Sequence, residues 1–404
     1  MKLLKFKRAK QIKQLSCMDY PWRCVEWYSS RPQPNEQVEI FSKEWKEDTS
    51  ENIKEVDELK DAIKPYDKTD MWDLAKRITN PYELVYTTSS RLGLPKSTSC
   101  FQPLSRSFFK MIEILQVLQF FDRHKQPKLR SLQICEGPGG FIEAFLYSAE
   151  QHKRTPPSVY AMTLKPTHTM IPGWRRASFF VQKHKNINLL YGPSKTGNIY
   201  EPCNQEACKD AVGQMGAHLV TADGGFDFSE DFYAQEKSIY RLLVCSSIII
   251  LKSIAVEGDC VLKVFDCNSP ATRDLLTLLS SCFQTWTLYK PATSRPCNSE
   301  WYFLGKSAIR HRDQAIKILM NVQETLQHST IEKILRNNIM NDFFIKLQEK
   351  RCIKQKEALK KVFTFCKEKH TLSPEDKEIL WKKQRNPSIL WCSEFHIPTV
   401  FRII

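Results

Sequence analysis

Residues 129–141 read LRSLQICEGPGGF, a short apolar run followed by an acidic residue, three glycines and a proline. The apolar run has the length of a buried strand, and the residues from 141 onward have the apolar spacing of a helix. Glycines between a strand and a helix let the backbone turn sharply and approach a ligand closely. A plain tight turn is the alternative. The position after a predicted strand favours a ligand, because open α/β sheets bind ligands at that edge.

The same alternation of strand and helix continues to residue 307. Further apolar runs lie at 158–164, 187–192, 217–225, 258–266, 285–291 and 300–307. Helical patterns separate most of them, which predicts a parallel, doubly wound sheet. Only a loop separates the last two runs, so they are expected to form an antiparallel pair. The predicted fold class is α/β, a Rossmann-like seven-stranded sheet that is mostly parallel with an antiparallel edge.

The net charge of +15 is confined to the two ends of the 404-residue chain. Residues 1–16 carry six basic side chains and no acid, and residues 306–404 carry 20 basic and 11 acidic residues. A basic excess favours a polyanionic partner such as nucleic acid, with solubility as the alternative. We expect these ends to add salt-dependent, sequence-independent affinity for such a partner. Deletion of 308–404 should then weaken that binding and leave ligand binding by the central region nearly intact.

The chain ends differ in pattern from its middle. Residues 1–79 are polar with a helical segment at 50–64, and residues 308–363 are mainly helical. In this last stretch KLQEKRCIKQKEALKK (346–361) is expected on the solvated side. We therefore predict helical extensions at 1–79 and 308–404 around a domain at 80–307. The fourteen cysteines, many of them in apolar runs, predict reduced thiols and a nuclear or cytoplasmic location, the host cytoplasm for a viral protein. No apolar stretch is long enough to predict a membrane span.

Four charged residues are candidates for chemistry. Asp223 follows a predicted strand in TADGGF, Lys263 lies inside the apolar strand VLKVF, and Lys110 lies inside the apolar helix FFKMIEIL. Glu300 ends the polar loop KPATSRPCNSE. A buried lysine is costly unless it is paired or functional, and neighbouring charges and burial can tune its pKa toward that of a base. Each residue also has a structural alternative. Asp223 could cap the next helix, and the two lysines could lie at the edge of their strand or helix with the ammonium group in solvent. The loop before Glu300 could be a simple hairpin connection.

These motifs, in this order, resemble the FtsJ/RrmJ-type 2′-O-ribose methyltransferases. The resemblance is closest to the cap-specific mRNA 2′-O-methyltransferases of eukaryotes and large DNA viruses that act on the first transcribed nucleotide. It rests on the following segments: NPYEL (80–84), Arg106 with Lys110, CEGPGGF (135–141), YAMTLK (160–165), TGNI (196–199), ADGGF (222–226), LKVFD (262–266) and KPATSRPCNSEWY (290–302). The region 80–307 is thereby expected to be an FtsJ-like S-adenosylmethionine-dependent methyltransferase domain.

The resemblance implies a function and a set of site residues. The reaction would convert cap 0 to cap 1, with Lys263 as the base and Lys110, Asp223 and Glu300 setting its protonation. The implied cofactor is S-adenosyl-L-methionine. Its binding residues would be Glu136, Gly137, Pro138, Gly139, Gly140, Phe141, Thr163, Leu164, Asn198 and Asp223. Asn198 departs from the family, in which the closest relatives usually have Asp, so this contact would lack a charge.

RNA contacts and partners are less sharply defined by sequence. Arg106, Ser294 and Arg295 are candidate phosphate contacts, with structural salt bridges as the alternative for the arginines. Phe101, Trp174 and Phe228 are guesses for stacking on the cap guanine. The predicted partner is capped RNA. A capping or transcription protein is expected to bind the basic C-terminal extension, and no membrane contact is expected. No metal is expected. Methylation of the second nucleotide or another RNA site, and a catalytically silent RNA-binding paralogue, are the alternatives.

Overall fold

The apolar runs of the sequence form the strands of one twisted sheet. A computed structural model describes residues 21–30, 38–41, 44–66, 69–88, 92–167, 171–225, 235–368 and 373–400. The strands are β1 (Tyr28–Ser29), β2 (Val38–Phe41), β3 (Arg130–Ile134), β4 (Ser158–Met162), β5 (Ile187–Leu190), β6 (Ala217–Ala222), β7 (Ile254–Val264), β8 (Phe283–Tyr289), β9 (Trp301–Ala308) and β10 (Lys333–Leu335). All seven predicted strands are present.

The main sheet has the strand order β1-β8-β9-β7-β6-β3-β4-β5. The central strands β5, β4, β3, β6 and β7 are parallel, whereas β9 runs antiparallel to both β7 and β8. The predicted α/β class and the antiparallel edge are thereby confirmed. The short strand β1 extends this edge, and β2 pairs with β10 in a separate two-stranded sheet. These three short strands were not predicted, because their pairing depends on contacts distant in sequence.

Helices cover both faces of the main sheet and bury its apolar side chains. Those of four or more residues are α1 (Glu51–Ile63), α2 (Asp70–Ile78), α3 (Ser107–Val117), α4 (Phe120–Arg123), α5 (Gly140–Gln151), α6 (Ser178–Lys183), α7 (Pro202–Val212), α8 (Gln235–Ser253), α9 (Pro270–Ser280), α10 (Asp313–Thr325), α11 (Asn341–Glu368) and α12 (Pro374–Glu394). Local signals define several ends: Ser50 caps α1, and Ser269 followed by Pro270 begins α9.

The N- and C-terminal extensions share a hydrophobic cluster with the central region. Val56 of α1 and Val362 of α11 are buried in the same cluster as Leu84 and Cys297. The expectation that residues 346–361 face solvent was wrong for part of the segment, because one face of α11 packs against the central region and buries Gln348, Arg351, Cys352, Gln355 and Leu359. The predicted boundaries near 79 and 307 stay predictions.

Most cysteines are small buried groups of the core. In the part of the chain that the structure describes, twelve cysteines are free thiols, and nine of these are buried. The prediction of reduced thiols was wrong for Cys24, which is disulfide-bonded. Within the described ranges, no helix has the length and apolar character needed to cross a bilayer.

Candidate active site

The sheet topology brings the four charged candidates to one edge. Ile134, Met162 and Ala222 lie in register at the carboxyl ends of parallel strands β3, β4 and β6. Asp223 directly follows β6, and Lys263 is the penultimate residue of β7. Because β9 is antiparallel, its first residue Trp301 pairs with Val264, so the preceding Glu300 enters the same edge. Helix α3 contributes Lys110 from the adjoining layer.

The four side chains form a chain of alternating charges. The Lys110 Nζ lies 2.6 Å from the Glu300 Oε1. The Lys263 Nζ lies 3.6 Å from both the Glu300 Oε2 and the Asp223 Oδ1. None of these side chains is more than 15% exposed. Ion pairs this close and this shielded from water interact strongly. The structure thus brings together all four residues singled out from the sequence.

Additional residues fix the two carboxylates. The Ser294 hydroxyl donates to the Glu300 Oε1 at 2.8 Å, and the Tyr302 hydroxyl donates to the Asp223 Oδ1 at 2.9 Å. The Lys290 ammonium donates to the backbone carbonyl of Glu300 at 3.0 Å. Burial lowers the pKa of Lys290 to about 8, although Glu300 acts in the opposite direction. Tyr302 and Lys290 were missed from sequence. In the structure Tyr302 pairs with Lys263 across β7 and β9, and the sequence did not predict this pairing.

The charges of the four-residue set act on one another. Burial lowers the pKa of the Lys263 ammonium, but Asp223 and Glu300 outweigh burial and raise it above the ordinary lysine value. Burial raises the pKa of Glu300, but Lys110 and Lys263 outweigh it and hold the pKa well below the ordinary glutamate value. Lys263 is therefore protonated at neutral pH in the ligand-free protein, and removal of its proton is coupled to the whole set.

The glycine-rich turn packs tightly between β3 and α5. A Cβ on Gly140 would lie 2.2 Å from the Ser105 and Ser107 hydroxyls, and Gly139 has a φ of +111° that other residues rarely adopt. The Glu136 Oε1 accepts a hydrogen bond from the Phe141 N–H at 2.6 Å. The Phe141 ring is fully buried in the core, so its side chain is not exposed to a ligand.

Glu136 has an unused acceptor beneath the turn. Its Oε2 is buried and has no hydrogen-bond partner among the described residues. Burial raises the pKa of Glu136 well above the ordinary glutamate value, and Asp223 raises it further. A buried carboxylate oxygen without a partner is costly, and a ligand ammonium group would satisfy it.

A cleft of about 1170 Å³ joins the glycine-rich turn to the charged set. Of the predicted cofactor residues, it is lined by Glu136, Gly137, Pro138, Thr163, Leu164, Asn198 and Asp223, and Gly139, Gly140 and Phe141 are not part of its lining. The Asn198 Oδ1 already accepts a hydrogen bond from the Tyr200 N–H at 3.0 Å. Gly225 borders the cleft where a Cβ would lie 3.4 Å from the Lys263 Nζ, so glycine keeps the approach to this ammonium open.

The predicted RNA-contact residues bind protein groups. Arg295 and Arg106 both pair with the fully buried Glu83, with N–O distances of 3.0 Å and 3.4 Å. Arg106 also donates to the carbonyl oxygens of Tyr86 and Thr293 at 2.7 Å and 3.1 Å. Thus the structural salt bridges, left open by the sequence, are present. Ser294, only 3% exposed, supports Glu300.

Two of the three guesses for cap stacking lie in the described part of the chain. Phe101 is stacked on Phe108 with ring centroids 4.9 Å apart, and Trp174 is 6% exposed. Both rings therefore have protein neighbours. Phe228 lies outside the described residues.

Comparisons with known proteins identify relatives of this chain. The chain is 27% identical over 322 residues to the cap-specific mRNA (nucleoside-2'-O-)-methyltransferase 1 of Xenopus laevis, covering 72% of this chain and 36% of that protein. The identity to the Homo sapiens protein of the same name is 28% over 264 residues, covering 61% and 31% of the two chains. The chain thus spans about a third of the length of these relatives.

One solved structure, a ribosomal RNA methyltransferase of Plasmodium falciparum, is 17% identical with a TM-score of 0.37, covering 51% of this chain and 98% of that chain. The family model for FtsJ-like methyltransferases matches residues 103–308, slightly more than half of the chain. This range includes the glycine-rich turn and all four members of the charged set. The chain therefore belongs to the FtsJ-like methyltransferase family.

Proposed function

We propose that this protein transfers a methyl group from S-adenosylmethionine to the ribose 2′-hydroxyl of the first transcribed nucleotide of capped mRNA. The observation that carries the proposal is the Lys110–Glu300–Lys263–Asp223 set at the end of the cleft. A hydroxyl is a weak nucleophile at neutral pH, and a positioned base increases its reactivity. The names of the relatives point to the mRNA cap as the substrate.

The residues around the glycine-rich turn fit the methyl donor. The unpaired Glu136 Oε2 is suited to an ammonium such as that of the methionine moiety, and Thr163, Leu164 and Asn198 line the cleft beyond it. When bound, S-adenosylmethionine supplies an electrophilic methyl group on a positively charged sulfur. The neighbouring Asp223 carboxylate places negative charge on this side of the cleft.

Lys263 is the proposed base. Its neutral amine would accept the proton of the ribose hydroxyl, and the cleft would hold the hydroxyl in line with the methyl group, which accounts for much of the rate in reactions of this type. The pKa of Lys263 is raised by Asp223 and Glu300 in the free protein. A nearby cation opposes this effect, because a second positive charge favours the neutral amine. The proposed role of Lys110 is to hold Glu300 and to add such a charge.

The other predicted RNA contacts act through protein groups in this proposal. Arg106 and Arg295, through Glu83, hold the segment near residue 83 against the loop that ends at Glu300. Ser294 orients the Glu300 carboxylate. Lys263 lines the cleft and Lys110 does not, so Lys263 is the cation of the charged set that the capped RNA would meet there. The nucleus or cytoplasm is the proposed location, since capped mRNA occurs in both.

Methyl transfer to short RNAs tests the proposal. The substrates would differ only in the presence of a methylated cap guanosine and of existing 2′-O-methyl groups on the first two nucleotides. We expect transfer to the RNA with a cap and an unmethylated first nucleotide, and none when that position is already methylated. Transfer to the second nucleotide or to uncapped RNA would favour a different site. Failure to bind S-adenosylmethionine would favour a silent paralogue.

A further inference from the structure

Helix α11 carries polar residues on the face that is buried against the catalytic region. Gln348, Arg351 and Gln355 are spaced three and four residues apart and are only 3%, 4% and 8% exposed. This spacing places them on one side of the helix. Buried polar side chains are costly unless they find partners, so their contacts define what this face of α11 holds.

Two of these residues contact the segment that follows Lys263. Arg351 donates to the backbone carbonyl of Phe265. The Gln348 side-chain amide donates to the Asp266 Oδ1 at 3.0 Å. Phe265 and Asp266 directly follow β7, two and three residues after Lys263. Helix α11 thereby fixes the end of the strand that carries the proposed base.

The same face contacts the segment that precedes and follows Glu300. The Gln355 side-chain amide donates to the carbonyl of Cys297 at 3.1 Å and to the Ser299 hydroxyl at 3.0 Å. The Arg351 guanidinium lies over the Trp301 ring, 4.4 Å from its centroid, in a cation–π contact. One helix therefore contacts both backbone segments that carry interacting members of the charged set.

We propose that Gln355 and Arg351 of helix α11 are positioning residues for catalysis, which hold the Glu300 segment at a fixed distance from Lys263. This inference rests on the proposed function. It assigns a role to a helix that lies wholly outside the 103–308 region matched by the family. The Lys263 Nζ–Glu300 Oε2 distance of 3.6 Å is the quantity that these contacts control.

Polar contacts are better suited to this task than apolar ones. Apolar side chains can repack after a small shift, whereas a buried amide or guanidinium loses its hydrogen bonds when the helix and the strand move apart. Apolar contacts of Leu359 and Val362 bind α11 to α1 and α2, and the polar face fixes where the catalytic segments lie. A displacement of about 1 Å in a catalytic group can lower the rate roughly 100-fold.

A change in the pH dependence of catalysis distinguishes positioning from simple stabilisation. The charged and titratable groups that face Lys263, directly or through its partners, include Asp223, Glu300, Glu136, Lys110, Lys290, Tyr302, Arg106 and Arg351. If Glu300 moves away from Lys263, one of the carboxylates that raise the lysine pKa is weakened. The rising limb of kcat/KM against pH then shifts to lower pH, while the maximal rate falls.

The test compares Gln355→Met with Val362→Ala, a buried position on the same helix away from the charged set. Gln355→Met keeps the side-chain length and removes the amide donor. We expect a fall of about 10- to 100-fold in kcat, unchanged S-adenosylmethionine binding, and a limb shifted to lower pH. Val362→Ala is expected to lower the Tm without shifting the limb. Arg351→Lys, which keeps the charge but loses the planar group over Trp301, serves as a second variant.

Hydrogen–deuterium exchange of the peptide spanning 297–303 provides a readout that needs no RNA. Faster exchange in Gln355→Met than in Val362→Ala supports the inference. If the wild-type protein methylates no capped RNA, the proposed function is overturned, but this exchange result still supports the inference. An unshifted pH limb, with exchange no faster than in Val362→Ala, would overturn the inference. If Gln355→Met does not fold, the same comparison with Arg351→Lys decides.

Discussion

Truncation after Ala308 is expected to unfold the protein, although the charge distribution suggested a separable basic tail. The fully buried apolar side chains of the removed part include Ile331, Ile334, Phe344, Val362 and Trp391. Burying one such side chain contributes roughly 1.5–3 kcal/mol, so five contribute about 7.5–15 kcal/mol. The net stability of a folded domain is only about 5–15 kcal/mol. Because the equally buried Leu319 and Val322 are lost as well, the loss is comparable to or larger than the stability available.

Hydrogen bonds would be lost as well. The Trp391 Nε1 donates to the buried Glu113 Oε2 at 2.8 Å, and the Asp274 Oδ2 accepts the backbone N–H groups of Ile334 and Leu335. Truncation would leave both carboxylates with fewer donors, which is costly for buried groups. Burial already raises the pKa of Glu113 to about 7, and loss of the Trp391 donor removes a contact that lowers it. Soluble yield, thermal unfolding and calorimetric binding of S-adenosylmethionine would measure the effect. A truncated protein with cooperative unfolding and unchanged affinity would refute the reasoning.

Three further predictions concern charge. Asp223→Asn removes a carboxylate that raises the pKa of Lys263, so the rising limb of kcat/KM should move to lower pH as the maximal rate falls; an unchanged limb would argue against Lys263 as the base. The affinity for S-adenosylmethionine should rise with pH, because the ionised Glu136 is the form that binds an ammonium, and Glu136→Gln should abolish this dependence in calorimetric titrations. If the exposed lysines of α11 bind RNA, each lysine removed should reduce the slope of the logarithm of the RNA-binding constant against log salt by about 0.7 in magnitude. A slope unchanged by three such substitutions would contradict a role of this surface in RNA binding. The substitutions are Lys350→Gln, Lys354→Gln and Lys361→Gln, all at exposed positions.

The central sheet and the four charged residues were predictable because short-range patterns determine them. Apolar runs bounded by glycine and polar turns predict the strands, and a residue at the end of a parallel strand must lie at the ligand-binding edge. Asp223 was placed in this way, whereas Lys263 was singled out as a lysine in an apolar strand and Glu300 as the acid that ends a polar loop. Their grouping into one site, together with Lys110, came from the resemblance, because the proximity of these side chains depends on contacts distant in sequence.

The helical extensions could not be predicted in the same way. Gln348, Arg351 and Gln355 are polar residues in a lysine-rich segment, and a pattern based on hydrophobicity assigns them to solvent. Arg351 and Gln355 are buried because their side chains donate hydrogen bonds to the backbone carbonyls of Phe265 and Cys297, which lie more than 50 residues away in sequence. Likewise, an arginine in a loop is equally suited to phosphate or carboxylate, and only the position of Glu83 shows which one Arg106 contacts.

The most direct test of the central claim is methyl transfer to two capped RNAs that differ only in the 2′ position of the first nucleotide, one carrying a hydroxyl and the other a hydrogen. We expect the wild-type protein to methylate the hydroxyl RNA and not the 2′-deoxy RNA, and Lys263→Met to methylate neither. The Lys263 variant should still bind S-adenosylmethionine. Equal methylation of the two RNAs, or full activity of Lys263→Met, would contradict the central claim.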